Sequence, residues 1–328
     1  MSLNEQSGLP EEQKQALRKA KRLEWLSLAY TACTVTVVAF VLGNSQAMKT
    51  AWVEDILSTL PQLAFLLAAV FTTRNSTLKH PYGYHRSMNI GHLVGSFALI
   101  VVGGILAFEA ASGLIKAEHA SIGTMQLFGH TVWMGWIMVA VMAIIAVPPI
   151  FLGRAKMKVA RFLHNKLLFA DADMSKADWS TNVGSIVGVL GIGMGLWWTD
   201  GIAALFISAG ILRDGLRNTK FAVLDLMDES ATTYDQRKIH PLIKELQDFL
   251  IQVPWIASVG IRMRDQGHVF HVEAFVSTTA DSVSTKALIG LTQDTIGLNW
   301  KLQDVVIIPV QDIPPNTHAR YSHHLTEQ

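Results

Sequence analysis

The chain has 328 residues; half are hydrophobic, only 16% are charged, and mean hydropathy is positive. Soluble domains carry roughly 25% charged residues, so the composition points to a membrane protein with a soluble part attached. The net charge of +1 gives no case for a polyanionic partner such as nucleic acid, and a single cysteine, Cys33, excludes an intramolecular disulfide framework and a cysteine-based zinc cluster.

The N-terminal segment, residues 1–23, is polar and then basic, with Lys14, Arg18, Lys19, Lys21 and Arg22. It lacks the short apolar core and cleavage site of a removable signal peptide. Six stretches then approach the about 20 apolar residues that a spanning helix needs. They run from about Trp25 to Gly43, Ala51 to Thr73, Ile90 to Ile115, Thr131 to Gly153, Leu167 to Leu196 and Gly201 to Phe221. Cys33 falls in the first, where a small buried thiol is expected. Trp133, Trp136, Trp197 and Trp198 stand near predicted span ends, as an aromatic belt does.

Basic residues mark alternate connections. Arg74, Lys79 and Arg86 lie between spans two and three; Arg154, Lys156, Lys158, Arg161 and Lys166 lie between four and five; Arg213, Arg217 and Lys220 are placed after span six. The other connections hold only Lys49 and Lys116. Positive charge on one side predicts six spans, residues 24–222, with both termini cytoplasmic. A multi-pass protein of the cell inner membrane is expected.

A polar linker follows, residues 223–233. Residues 234–313 then read as helix, two alternating strands around Gln266-Gly267, a second helix and a last strand. The order αββαβ predicts a cytoplasmic α+β domain of ferredoxin-like type. Residues 314–328, with His318, His323 and His324, are expected to form a flexible, solvated tail.

The chemistry concentrates in "ADADMSKADWSTN", Ala170–Asn182. Asp171, Met174 and Asp178 share one helical face, whereas Asp173 points elsewhere. Asp171 and Asp173 suit the first turns of a helix, but Asp178 lies two turns in, where an acid marks an ion or proton site by default. Apart from Lys176, off its face, no Lys or Arg is expected inside spans one to five, so a bound cation or proton is the expected counter-charge. Span two offers Glu54 and Asp55, with Ser58 and Thr59 one turn on and Pro61-Gln62 beyond. Two acidic helices facing each other make an oxygen-rich site for a divalent cation, and close carboxylates also share protons. The predicted topology sets span two and span five running in opposite directions, so the acids meet only if both sit well inside the membrane.

The pattern resembles the cation diffusion facilitator family over about Lys21 to Asp312. The stretches that carry it are "HPYGYHR" (His80–Arg86), "FEAASGLI" (Phe108–Ile115), "ADADMSKADWSTNVGSIVGVLG" in span five and "WWTDGIAALFISAGILRDGLRNTKFAVLDLMDES" in span six and its exit. The resemblance implies a six-span homodimeric transporter that exports divalent metal against protons by alternating access. It also implies a metal site on spans two and five. In span five Ala170, Asp171 and Asp178 match the family's A-D-x-x-H-x-x-x-D pattern, but Met174 takes the histidine position. In span two the pair is either Asp55 with Thr59 or Glu54 with Ser58. Met88 stands where an acid is usual. In the soluble domain Glu273 and Pro309 fall near usual histidines, leaving His268 and His271 as alternatives. The metal candidates are therefore Asp171, Asp178, Asp55, Glu54, Met174 and Asp173. The transported ion is one of Zn, Fe, Mn, Co or Cd; loss of the imidazole favours harder ions such as manganese or iron(II), and no tightly bound cofactor is implied. The alternative reading is a non-transporting membrane scaffold or metal sensor of the same fold, which the altered ligand sets favour. An enzyme is not expected, because no nucleophile–base pair, phosphate loop or HExxH motif is present.

Overall fold

The computed structural model describes residues 10–71, 74, 77–127, 130–267, 269–279 and 282–321. Seven long or medium helices form a bundle: α1 (Glu11–Val41), α2 (Gln46–Phe71), α3 (Ser87–Ile115), α4 (Met134–Ile145), α5 (Val147–Leu163), α6 (Lys166–Gly193) and α7 (Trp198–Leu226). A short hairpin, β1 (Thr124–Leu127) with β2 (His130–Trp133), precedes α4, so the helix expected from Thr131 begins instead at Met134. Among the described residues four segments are long and apolar enough to cross a membrane: α1, α2, α3 and Met134–Leu163, which is α4 and α5 together. The α6 and α7 helices are 28 and 29 residues long, with acids spread along them: Asp171, Asp173 and Asp178 in α6, and Asp200, Asp214 and Asp225 in α7.

The element bounds differ from the sequence reading in three further ways. Residues 11–23 are not a separate segment but the first turns of α1, which runs unbroken through position 24. Arg213, Arg217 and Lys220 lie within α7 rather than after it. Cys33 is exposed on the bundle's outer surface rather than buried.

Small residues allow close helix packing. A side chain at Gly215 on α7 would come within 2.8 Å of the Ile100 backbone nitrogen on α3, so these two helices touch backbone to backbone. The break between α4 and α5 has a local cause. Pro149 has no N–H to give the carbonyl of Ile145, and the Tyr30 hydroxyl on α1 donates to that carbonyl instead, at 2.6 Å.

The C-terminal region is α8 (Leu242–Leu250), β3 (Ile256–Asp265), β4 (Phe270–Thr278), α9 (Thr285–Leu298), β5 (Leu302–Pro309) and β6 (His318–Tyr321). The sheet order is β5-β4-β3-β6. The β3–β4 hairpin is antiparallel, and α9 carries the chain across to the parallel strand β5. The apolar sides of α8 and the strands meet in one core that includes Leu242, Leu246, Leu250, Val259, Ile261, Phe270 and Val272. The loose tail expected from residue 314 is corrected here: the chain passes back over Gly260 and β6 pairs antiparallel with β3, covering its free edge. His323, His324 and His268 lie outside the described residues, and His318 is in β6.

The α+β region is joined to the bundle by buried charge. Lys166, at the start of α6, bridges Asp225 at the end of α7 (2.6 Å) and Asp265 at the tip of β3 (3.3 Å). Asp228 pairs with both Arg86 and Arg264, the latter at 3.0 Å. Gly267 at the hairpin tip has a positive φ, and a side chain there would strike the His85 backbone oxygen at 2.5 Å.

Candidate metal-transport site

A small cavity of about 20 Å³, room for one water-sized occupant, lies between α1, α2, α6 and the α4–α5 junction. Asp55 of α2 and Asp178 of α6 both line it. Their meeting follows from helix geometry. Asp55 is nine residues into α2 and Asp178 twelve residues into α6, so at about 1.5 Å per residue they stand about 13.5 and 18 Å from their helix starts. If the two helices enter from opposite faces, those depths add up to nearly the roughly 30 Å thickness of a bilayer core. The acids then share one level near the middle.

Most of the other lining side chains bear oxygen, with Ile145, Pro149 and Leu152 as the apolar ones. Ser58 and Gln62 follow Asp55 by three and seven residues; Ser175 and Asn182 flank Asp178 by three and four; Ser27, Tyr30, Thr31 and Thr34 come from α1. These spacings were legible in the sequence, although only the acids stood out by chemistry. Two of the neighbours are locally anchored: Ser58 donates to the Asp55 carbonyl (2.8 Å) and Asn182 to the Asp178 carbonyl (2.9 Å). Gln62 is buried, and its Oε1 has no hydrogen-bond partner. A carbonyl oxygen without a donor, beside two carboxylates, suits a hard cation. Among the described residues no three His, Cys, Asp or Glu side chains cluster closely enough to hold a metal by themselves, so any ion here relies on neutral oxygens or water as well.

The remaining sequence candidates are elsewhere. Glu54 does not line the cavity; it sits beside Thr181, and its Oε2 is buried without a partner. Met174 packs against an apolar cluster of α2, α3 and α7 with Leu57, Leu99 and Ile207. Asp173 pairs with Arg217 at 3.1 Å. Asp171, expected beside Asp178 as a ligand, is held by Lys156 at 2.5 Å, and Lys156 also bonds Glu24 at 3.0 Å. Lys156 is fully buried in α5, not in a loop, which corrects the expectation that no basic residue lies among the first five spans. Its pairing partners are 132 and 15 residues away in sequence, and no local signal announces them.

In the α+β region, His271 Nδ1 bonds Asp304 at 2.6 Å, and its Nε2 lies 3.5 Å from Glu273. The Asp304 hydrogen bond raises the His271 pKa, and the same bond lowers that of Asp304.

A family model described as the cation efflux transmembrane domain matches residues 25–227, more than half of the chain. The manganese efflux system protein MneS of Bacillus subtilis is 21% identical over 257 residues, covering 75% of this chain and 79% of that protein. Mitochondrial metal transporter 1 of Saccharomyces cerevisiae is 25% identical over 250 residues, covering 70% of this chain and 48% of that protein. The probable proton-coupled zinc antiporter SLC30A3 of Mus musculus is 32% identical over 127 residues, which span 37% of this chain and 31% of that one. By the match across its helical bundle, the chain belongs to the cation efflux family, the cation diffusion facilitators.

Proposed function

We propose that the protein exports a divalent metal cation in exchange for protons, by alternating access, with Asp55 and Asp178 as the ion's anionic ligands. The observation that carries this is the meeting of these two acids, from helices distant in sequence, in one small oxygen-lined cavity. Metal binds there from the cytoplasm; the bundle rocks, and protons taking the carboxylates release it on the far side. Gln62, Asn182 and the hydroxyls of Ser58 and Tyr30 supply neutral oxygens. Neither imidazole nor thiolate lines the cavity, which favours manganese or iron(II) over zinc. The similarity to a protein named as a manganese efflux system supports that order.

The reading includes six spans, with α4 and α5 together counting as the fourth, and both termini cytoplasmic. It includes residence in the cell inner membrane and pairing of two subunits through the α+β regions. The test is metal-dependent proton release from reconstituted vesicles across manganese, iron(II), cobalt, zinc and cadmium. Release that tracks metal uptake for at least one ion supports exchange. Metal flux with no proton movement would remove the coupling, and no flux of any ion would favour the scaffold or sensor reading.

A further inference from the structure

An ion-paired lysine lies one helical turn from the cavity. Ser27, Leu152 and Ser175 line the cavity on α1, α5 and α6. Glu24, Lys156 and Asp171 stand three, four and four residues from them, each one turn nearer the end of the bundle where α6 begins. Lys156 Nζ joins the other two, at 3.0 Å to Glu24 Oε2 and 2.5 Å to Asp171 Oδ2. Three helices therefore meet through one ammonium directly beneath the cavity, and none of the three side chains is more than 3% exposed.

The bridge is incompletely satisfied. Two carboxylates face one ammonium, and Glu24 Oε1 is buried without a hydrogen-bond partner. A bridge present only to hold helices together gains little over apolar packing of the same volume, and a leftover buried acceptor makes it worse. The arrangement suits a latch that opens: when the ammonium lets go, the two carboxylates become a negatively charged passage into the cavity.

We propose that Lys156 is the gate of the cavity on the side where α6 begins, closed in this structure, and that a cation passes there only when Lys156 releases Glu24 or Asp171. The proposal rests on the cavity being the cation's route, but its test reads access and not transport, so it stands or falls separately from the ligand assignment.

The full-length protein, with Cys33→Ala to remove the native thiol and Ser175→Cys as reporter, is reconstituted in vesicles of both orientations. A membrane-impermeant cationic methanethiosulfonate is applied from the side where α6 begins. With Lys156 present the reporter should react slowly; with Lys156→Met it should react at least about tenfold faster; with Lys156→Arg, which can still bridge two carboxylates, it should be as slow as the parent. Glu24→Gln, which leaves the lysine one anionic partner, gives a second reading if Lys156→Met does not insert, and should also react faster. Rapid reaction in the parent, or a rate unchanged by Lys156→Met or by Glu24→Gln, would overturn the gate.

Discussion

Replacing Asp178 by asparagine keeps its volume and one oxygen but removes a charge from the cavity. A divalent cation and one carboxylate about 4 Å apart interact by about 8 kcal/mol at an effective dielectric constant of about 20, twice the figure for two unit charges, and about 1.4 kcal/mol is one decade in rate or affinity. The full term is thus about six decades, the ceiling on what one carboxylate supplies. Asparagine still offers a carbonyl oxygen, and water admitted to so small a cavity recovers part of the rest, so Asp178→Asn should lower metal flux between about tenfold and a thousandfold. Asp55→Asn should fall in the same range, because both acids line the cavity. Glu54→Gln should do less, since Glu54 sits outside the lining, and Asp173→Asn least, since it only frees Arg217. The assay is initial flux into vesicles at matched protein content, with insertion checked by size-exclusion chromatography in detergent. Parent-like flux in both Asp178→Asn and Asp55→Asn, for every ion tested, would refute the site. A larger loss in Glu54→Gln than in Asp55→Asn would move the ion to the Thr181 side of α2.

A cysteine placed at Lys158, in the Cys33→Ala background, should be labelled by an impermeant reagent only from the cytoplasmic face; labelling from outside would overturn the six-span topology. A soluble fragment beginning at Tyr234 should fold and dimerise. Ending it at Asp312 rather than at Gln328 should lower its stability by roughly 1–3 kcal/mol in urea unfolding, because the loss of β6 unpairs the edge of β3 and strands the Gln247 amide that donates to the His318 carbonyl. Equal stability of the two fragments would deny β6 that role. The His271–Asp304 pair gives a pH dependence. A histidine with a raised pKa contributes stability that is full below its unfolded value and lost as pH rises through the folded one; an aspartate with a lowered pKa contributes above its unfolded value and loses it as pH falls through the folded one. The pair is therefore strongest between about pH 4 and 6.5. Asp304→Asn should cost roughly 0.5–1 kcal/mol in that window, discounted for the exposure of Asp304, and little at pH 9.

What could be read from the chain was local. Asp178 stood out because an acid two turns into an apolar helix has few structural excuses, and the hairpin at Gln266-Gly267 announced itself by alternation and a turn residue. The choice between Asp55 and Glu54 was not local: adjacent residues differ by about 100° around a helix, and only the packed neighbours decide which one lines the cavity. Lys156 was misread for a related reason. A run of basic residues looks like a loop, yet its counter-charges come from α1 and α6, which only folding brings together. β6 escaped notice because four residues make too short a run to show a period; their place is supplied by the open edge of β3.

Because the two acids meet through complementary depths, about 13.5 Å into α2 and about 18 Å into α6, chain length is itself a functional quantity. One residue inserted between Gln46 and Asp55, or between Lys166 and Asp178, would turn the acid by about 100° and shift it by about 1.5 Å, carrying it out of the cavity without altering any chemical group. Four residues would restore the face but displace the level by about 6 Å, more than a cavity for a single ion can absorb. The same insertion in the turn at Leu42–Ser45, upstream of α2, leaves the helical phase intact. Those two intervals should therefore be far less tolerant of insertion and deletion than of substitution at most of the residues they contain.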